Sequence, residues 1–166
     1  MAKSPEPILA QRIIELLRDK NKTIVTAESC TGGLIAAALT DVPGASAAVH
    51  GGYIAYSNAA KSRMIQVPSR LIHDYGAVSN QVARAMADGA RNTARVDIAV
   101  SATGIAGPDG GTEKKPVGLV YVAVSTDLAT VVIEHRFGDI GREEVRKATV
   151  AAALDLVMQV MSSDED

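Results

Sequence analysis

"KTIVTAESCTGGLIAAAL", residues 22–39, changes character twice along its length. Its first part, "KTIVTAE", is rich in β-branched residues and reads as a buried strand. After two glycines, "LIAAAL" reads as the body of a helix opened by Thr31 or the glycines and stopped at "VPG". A strand that passes directly into a helix is the repeating unit of α/β folds. Ser29, Cys30 and Thr31 stand in the turn, at the carboxyl end of the strand, where ligands bind in such sheets. The helix N-terminus supplies unpaired N–H groups and partial positive charge, suited to a phosphate or an oxyanion. Gly32 and Gly33 let a substrate come close to the backbone. The competing role, an N-cap by Ser29 or Thr31, is the commoner fate of such residues and is favoured on local sequence alone.

Outward from this turn the α/β pattern repeats. Upstream, "PILAQRIIELLRDKN" carries Ile8, Leu9, Ile13, Ile14, Leu16 and Leu17 near helical spacing. Downstream, "AVHGGYIAYS" reads as a strand with a bulge or close approach at Gly51 and Gly52. "NAAKSRMIQV" and "PSRLIHDYG" read as short helices, the second with Pro68 in its first turn. "SNQVARAMADGARNTAR" reads as a longer helix, with Ser79 as N-cap and Val82, Ala85, Met86 and Ala90 on one face. "VDIAVSATG" is a strand, and "IAGPDGGTEKKPVG" a loop. "LVYVAVSTDLATVVIEHRFGD" is a hairpin turning at "TDLA", and "GREEVRKATVAAALDLVMQVM" closes the chain as a helix. Alternating strands and helices place helices on both faces of one sheet, and the hairpin makes that sheet mixed.

The 166 residues are expected to form a single domain over 1–162, with residues 163–166 as a disordered acidic tail. With one Phe, four Tyr and no Trp, the core must be built from Ala, Val, Ile and Leu. A net charge of −2 leaves no basic footprint for nucleic acid. No signal-peptide core or bilayer-length apolar run is present, so no membrane partner is expected and a cytoplasmic location is. A single cysteine, Cys30, excludes an internal disulfide and a zinc-type cysteine cluster, so no structural metal is expected.

Three further stretches carry chemistry. In "AYSNAAK", Tyr56, Ser57 and Lys61 fall within about one turn of each other. A serine needs a base, and His50, His73 and His135 stand beside no Ser or Asp signature. Lysine serves instead where burial lowers its pKa; an isolated lysine is more often a solvated helix charge. "SATGIAGPDGG" runs from a strand into a glycine-rich loop, from Thr103 to Gly111, able to present N–H groups to an anion. It matches neither the P-loop nor the dinucleotide fingerprint. In "GDIGREEVRK", Arg142 and Arg146 are four apart and share a helix face, as a phosphate clamp or as partners of Glu143 and Asp139.

Together, "TAESCTGG", "GGYIAYSNAAK", "GAVSNQVARAMADGAR", "TGIAGPDGGTEKKPVGLVYVAV" and "FGDIGREEVR" resemble, in order and spacing, the CinA C-terminal domain family, the nicotinamide-nucleotide amidases. The resemblance covers nearly the whole chain. It implies a three-layer α/β/α sandwich with a mixed β-sheet, in the form of a stand-alone amidase without the N-terminal molybdopterin-binding-like domain of full-length CinA proteins. The implied reaction is hydrolysis of the carboxamide of nicotinamide mononucleotide (NMN) to nicotinic acid mononucleotide and ammonia, with no cofactor. The family's catalytic Ser, Tyr and Lys fall here on Ser29, Tyr56 and Lys61. Amides near Thr31, Gly32 and Gly33 would form the oxyanion hole. The loop Thr103, Gly104, Ile105, Ala106 and Gly107, with Arg142, would hold the substrate phosphate. The sequence departs from the family pattern in "GDIGREEVR", longer by two residues than "GDRxxVR", and in His50, where arginine is common. Ser57 is a rival nucleophile, four residues before Lys61. The alternative function is a non-catalytic nucleotide-binding or competence-related partner of the same fold. The alanine-rich helices would also suit a homo-oligomer.

Overall fold

The computed structural model describes residues 5–164. The chain runs α1 (Pro5–Asp19), β1 (Ile24–Glu28), α2 (Leu34–Thr40), β2 (Val49–Ile54), α3 (Asn58–Ile65), α4 (Ser69–Tyr75), α5 (Asn80–Ala94), β3 (Ile98–Gly104), β4 (Leu119–Ser125), β5 (Thr130–Arg136) and α6 (Arg142–Ser163). One sheet holds the strands in the order β2-β1-β3-β4-β5. β1 pairs in parallel with β2 and β3, and the hairpin adds β4 and β5 antiparallel, so the sheet is mixed as the sequence predicts.

Each inner strand feeds two cores because its side chains alternate. Ile24, Ile98, Val100, Val120 and Val122 face a core closed by α1, α2 and α6, whose buried residues include Ile14, Leu39 and Leu154. Val25, Ala27 and Ala99 face a second core with Ile65, Val82 and Met86 of α3 and α5. The result is three layers, α/β/α. Coverage on both sides explains why β1 and β4 read as nearly continuous apolar runs. Each Ile or Leu so buried contributes about 1.5–3 kcal/mol. Ser79 caps α5, accepting from Val82 N–H at 3.2 Å, as expected. Val82, Met86 and Ala90 are buried beneath that helix, and Ala85 is partly buried.

Three local expectations are revised. The register against β1 jumps from Val49 to Gly51, so His50 is the extra residue of a bulge and is exposed. Gly52 is the close approach, because a Cβ there would lie 2.4 Å from Thr26 Oγ1. Pro68 stands at the N-cap of α4 rather than inside it. Helix α6 reaches Ser163 with Asp164 as its C-cap, so the helix extends into the stretch read as a disordered tail. Glu165 and Asp166 of that tail lie outside the described residues. Among the described residues no helix is long and apolar enough to cross a membrane.

β1 is the switch point of the parallel part. The chain leaves it through α2 toward β2 on one side, and returns through α3, α4 and α5 to β3 on the other. A crevice opens outside the carboxyl ends of strands at such a point.

Candidate active site

The register places three strand ends level. Glu28 pairs with Ile54 and with Ala102, Ala55 N–H donates to Glu28 O, and Ser29 N–H donates to Ala102 O. Ser29 therefore leaves β1 beside the β2–α3 turn, which carries Tyr56, Ser57 and Lys61. Residues Thr103 and Gly104 end β3 on the other side. A cavity of about 220 Å³ lies among them, lined by Ser29, Lys61, Tyr56, Thr103 and Arg142, with Cys30 and Ala106 contributing to its wall.

Lys61 enters α3 one turn from its start, yet it is 1% exposed. Its Nζ lies 3.0 Å from Ser29 Oγ and donates to the carbonyl of Tyr56 at 2.9 Å. Among the described residues no carboxylate pairs with it. Burial pushes its pKa below the ordinary lysine value, with Cys30 acting the other way. Cys30 is itself neutral at neutral pH, because burial pushes its thiol up to about 11. Lys61 is thus a desolvated amine against a serine hydroxyl, not the solvated charge an isolated lysine suggests.

Ser29 is not a helix cap, and neither is Thr31. That place is taken by Glu28, which is 1% exposed. One carboxyl oxygen of Glu28 accepts from Ile35 N–H at 2.8 Å and Thr31 Oγ1 at 2.7 Å. The other accepts from Ala36 N–H at 3.0 Å and Thr26 Oγ1 at 3.1 Å. The first-turn amides of α2 are occupied from below, and Ser29 Oγ remains for Lys61. Ser57 does act as a cap, accepting from Ala60 N–H at 3.0 Å, and is exposed. Lys61 meets Ser29 rather than Ser57.

Tyr56 contributes its backbone where a side-chain role was expected. Its carbonyl receives Lys61 and lies 3.4 Å from Ser29 Oγ, while its ring is 58% exposed and its hydroxyl accepts from Arg142 Nη2 at 3.2 Å. Arg142 Nη1 donates to Gly107 O at 2.9 Å, so this arginine spans the mouth from the loop to the tyrosine. Arg146 lies apart from it, donating to Cys30 O at 3.0 Å and Thr31 O at 3.2 Å. The two arginines do not form one clamp.

The remaining candidates divide. Thr103, Gly104 and Ala106 line the cavity, with Thr103 Oγ1 held by Ala77 O at 2.8 Å. Ile105 pins the loop instead, through its bonds with Leu119 O and Gly118 N–H. Thr31, Gly32 and Gly33 do not line the cavity, and the Gly32 N–H is committed to Ser29 O at 3.1 Å. Sequence reading missed Glu28 as the cap of α2, and Asn58, Ala77 and Val78 in the cavity wall. A glutamate next to the serine at a strand end was the one available signal.

Residues 7–161 match the family described as the CinA C-terminal domain. A putative competence-damage inducible protein of Acetivibrio thermocellus is 52% identical over 143 residues, 86% of this chain and 34% of the relative. A CinA-like protein of Citrifermentans bemidjiense is 54% identical over 145 residues, 87% of this chain and 34% of that protein. The chain thus spans about a third of the length of these curated relatives. Among solved structures, the competence/damage inducible protein CihA from Agrobacterium tumefaciens superposes with a TM-score of 0.93 at 45% identity, over 96% of this chain and 97% of that one. A CinA superfamily protein from Klebsiella pneumoniae gives 0.91 at 29% identity, over 96% and 99%. By sequence and by fold, the chain belongs to the CinA C-terminal domain family.

Proposed function

We propose that the chain is a nicotinamide-nucleotide amidase that hydrolyses the carboxamide of NMN through Ser29. The observation that carries this reading is the buried Lys61 Nζ, 3.0 Å from Ser29 Oγ at the wall of a small cavity. A neutral amine has one lone pair and two hydrogens. With one hydrogen kept on the Tyr56 carbonyl, the lone pair is free for the serine proton. Ser29 Oγ attacks the amide carbon, the carbon–nitrogen bond breaks, and Lys61 returns the proton to the departing ammonia. Water then cleaves the acyl ester with Lys61 again as base, releasing nicotinic acid mononucleotide.

The cavity's 220 Å³ is the liquid volume of about seven waters, room for one carboxamide-bearing ring rather than a whole nucleotide. The ribose phosphate then lies at the mouth, where Arg142 offers a guanidinium beside Tyr56. Ammonia release from NMN, measured for the parent chain and for Ser29→Ala, tests the reading. The expected outcome is turnover in the parent and a loss of about 10⁴-fold or more in the variant. Turnover surviving in Ser29→Ala would remove Ser29 from the mechanism, and a folded parent that leaves NMN intact would remove the substrate.

A further inference from the structure

With Glu28 occupying the amides of Ile35 and Ala36, α2 has no free N-terminal donor there for an oxyanion. The donors must come from the turn itself. Its hydrogen bonds form a relay that starts at Arg146. The guanidinium takes Thr31 O, which fixes the Thr31–Gly32 peptide, and Gly32 N–H then donates to Ser29 O. In a planar trans peptide the N–H points opposite to the C=O. Ser29 O is turned toward Gly32, so Cys30 N–H is turned away from it. Cys30 O is turned toward Arg146 Nε, so Thr31 N–H is turned away from the guanidinium, but Thr31 is buried and off the cavity wall. Among the described residues no other group accepts from either N–H; Cys30 N–H approaches only its own sulfur. Where a serine nucleophile sits on a strand-to-helix turn, the amide of the following residue is the expected oxyanion donor.

Arg146 is suited to this task and to little else. It is partly buried, no carboxylate among the described residues pairs with it, and its hydrogen bonds to Cys30 O and Thr31 O both go to this turn. Gly32 accommodates it: φ is +57° there, and a Cβ would sit 3.3 Å from Arg146 Nη2. We propose that Arg146 is a positioning residue that aims the N–H of Cys30, which lines the cavity, at the developing oxyanion of the Ser29 adduct. The proposal rests on Ser29 as the nucleophile proposed above, and it extends that reading by naming a donor and what holds it.

The test compares the parent chain with Arg146→Ala and Arg146→Lys on two substrates, NMN by ammonia release and p-nitrophenyl acetate by nitrophenolate release. Each is run with and without millimolar guanidinium, and thermal unfolding is followed alongside. For Arg146→Ala the expected result is a kcat about 10²–10³-fold lower with KM little changed. Guanidinium should restore at least about tenfold of that loss and leave the parent unaffected. Arg146→Lys keeps the charge and the stem but not the two-pronged grip, and should fall between. A folded Arg146→Ala with parental kcat, a loss confined to KM, or a loss that guanidinium does not relieve would overturn the proposal. Should Arg146→Ala fail to fold, a folded Arg146→Lys with parental kcat would overturn it equally. A parent that cleaves the ester but not NMN removes the substrate reading alone, and the ester kcat then decides for Arg146. If neither substrate acylates Ser29, both fall.

Discussion

Two neighbouring turns in this molecule begin from the same local plan and end in opposite roles. Each follows a parallel strand, each places a serine before a helix, and they lie side by side at the switch point. After β2, Ser57 does what serine most often does there and caps α3 through Ala60 N–H. After β1, Glu28 reaches forward to take the α2 amides at Ile35 and Ala36. Ser29 is thereby released from capping and meets Lys61, which the other turn supplies. The serine that meets the buried amine is thus the one whose helix has a substitute cap.

The sharpest way to break this contrast is Lys61→Met. Activity on NMN should fall by about 10²–10⁴-fold, the usual contribution of a positioned general base. Stability should move the other way. The folded pKa of Lys61 lies below its unfolded value, so between the two the unfolded chain binds the extra proton. The destabilisation is full below the folded pKa and is relieved as pH rises toward the unfolded one. Lys61→Met removes that burden, so thermal unfolding should show a more stable variant at neutral pH and a flatter alkaline dependence. In the parent, kcat/KM should rise with pH through the same folded pKa.

Glu28→Gln comes next. An amide group cannot accept at both of its ends, so one of the α2 donors or a threonine hydroxyl loses its acceptor. Denaturant unfolding should report a loss of about 1–3 kcal/mol, accompanied by a lower kcat as the Ser29 turn loosens. An unchanged stability would mean that α2 needs no substitute cap. The smallest effect belongs to Ser57→Ala, about 1 kcal/mol from the lost cap, with ammonia release at the parental level. A collapse of turnover in that variant would give Ser57 a part in the chemistry that its exposure and capping bond argue against.

Much of the fold was legible because its signals are local. The apolar period of α5, the breakers around "TDLA" and the β-branched runs each speak for themselves. The strand order was not, since it depends on which edges pair across long stretches of chain. The site divides the same way. Ser29 and Lys61 could be named, but their 3.0 Å contact depends on the β1–β2 register, bulge at His50 included. The burial of Lys61 escapes sequence reading because a lysine at that helical position usually faces water. Glu28 is harder still, for a carboxylate at a strand end normally signals solvent, and here four converging donors compensate for its burial.

The acceptor that orients Lys61 is a main-chain oxygen, that of Tyr56. Every amino acid carries that atom, so the anchor of the Lys61 amine belongs to the path of the chain and is indifferent to which residue occupies position 56. Divergence at the cavity mouth is therefore uncoupled from the Ser29–Lys61 contact beneath it. A lineage or a designer can exchange the tyrosine ring for another shape, and so alter what the mouth admits, while the serine and its amine keep their alignment.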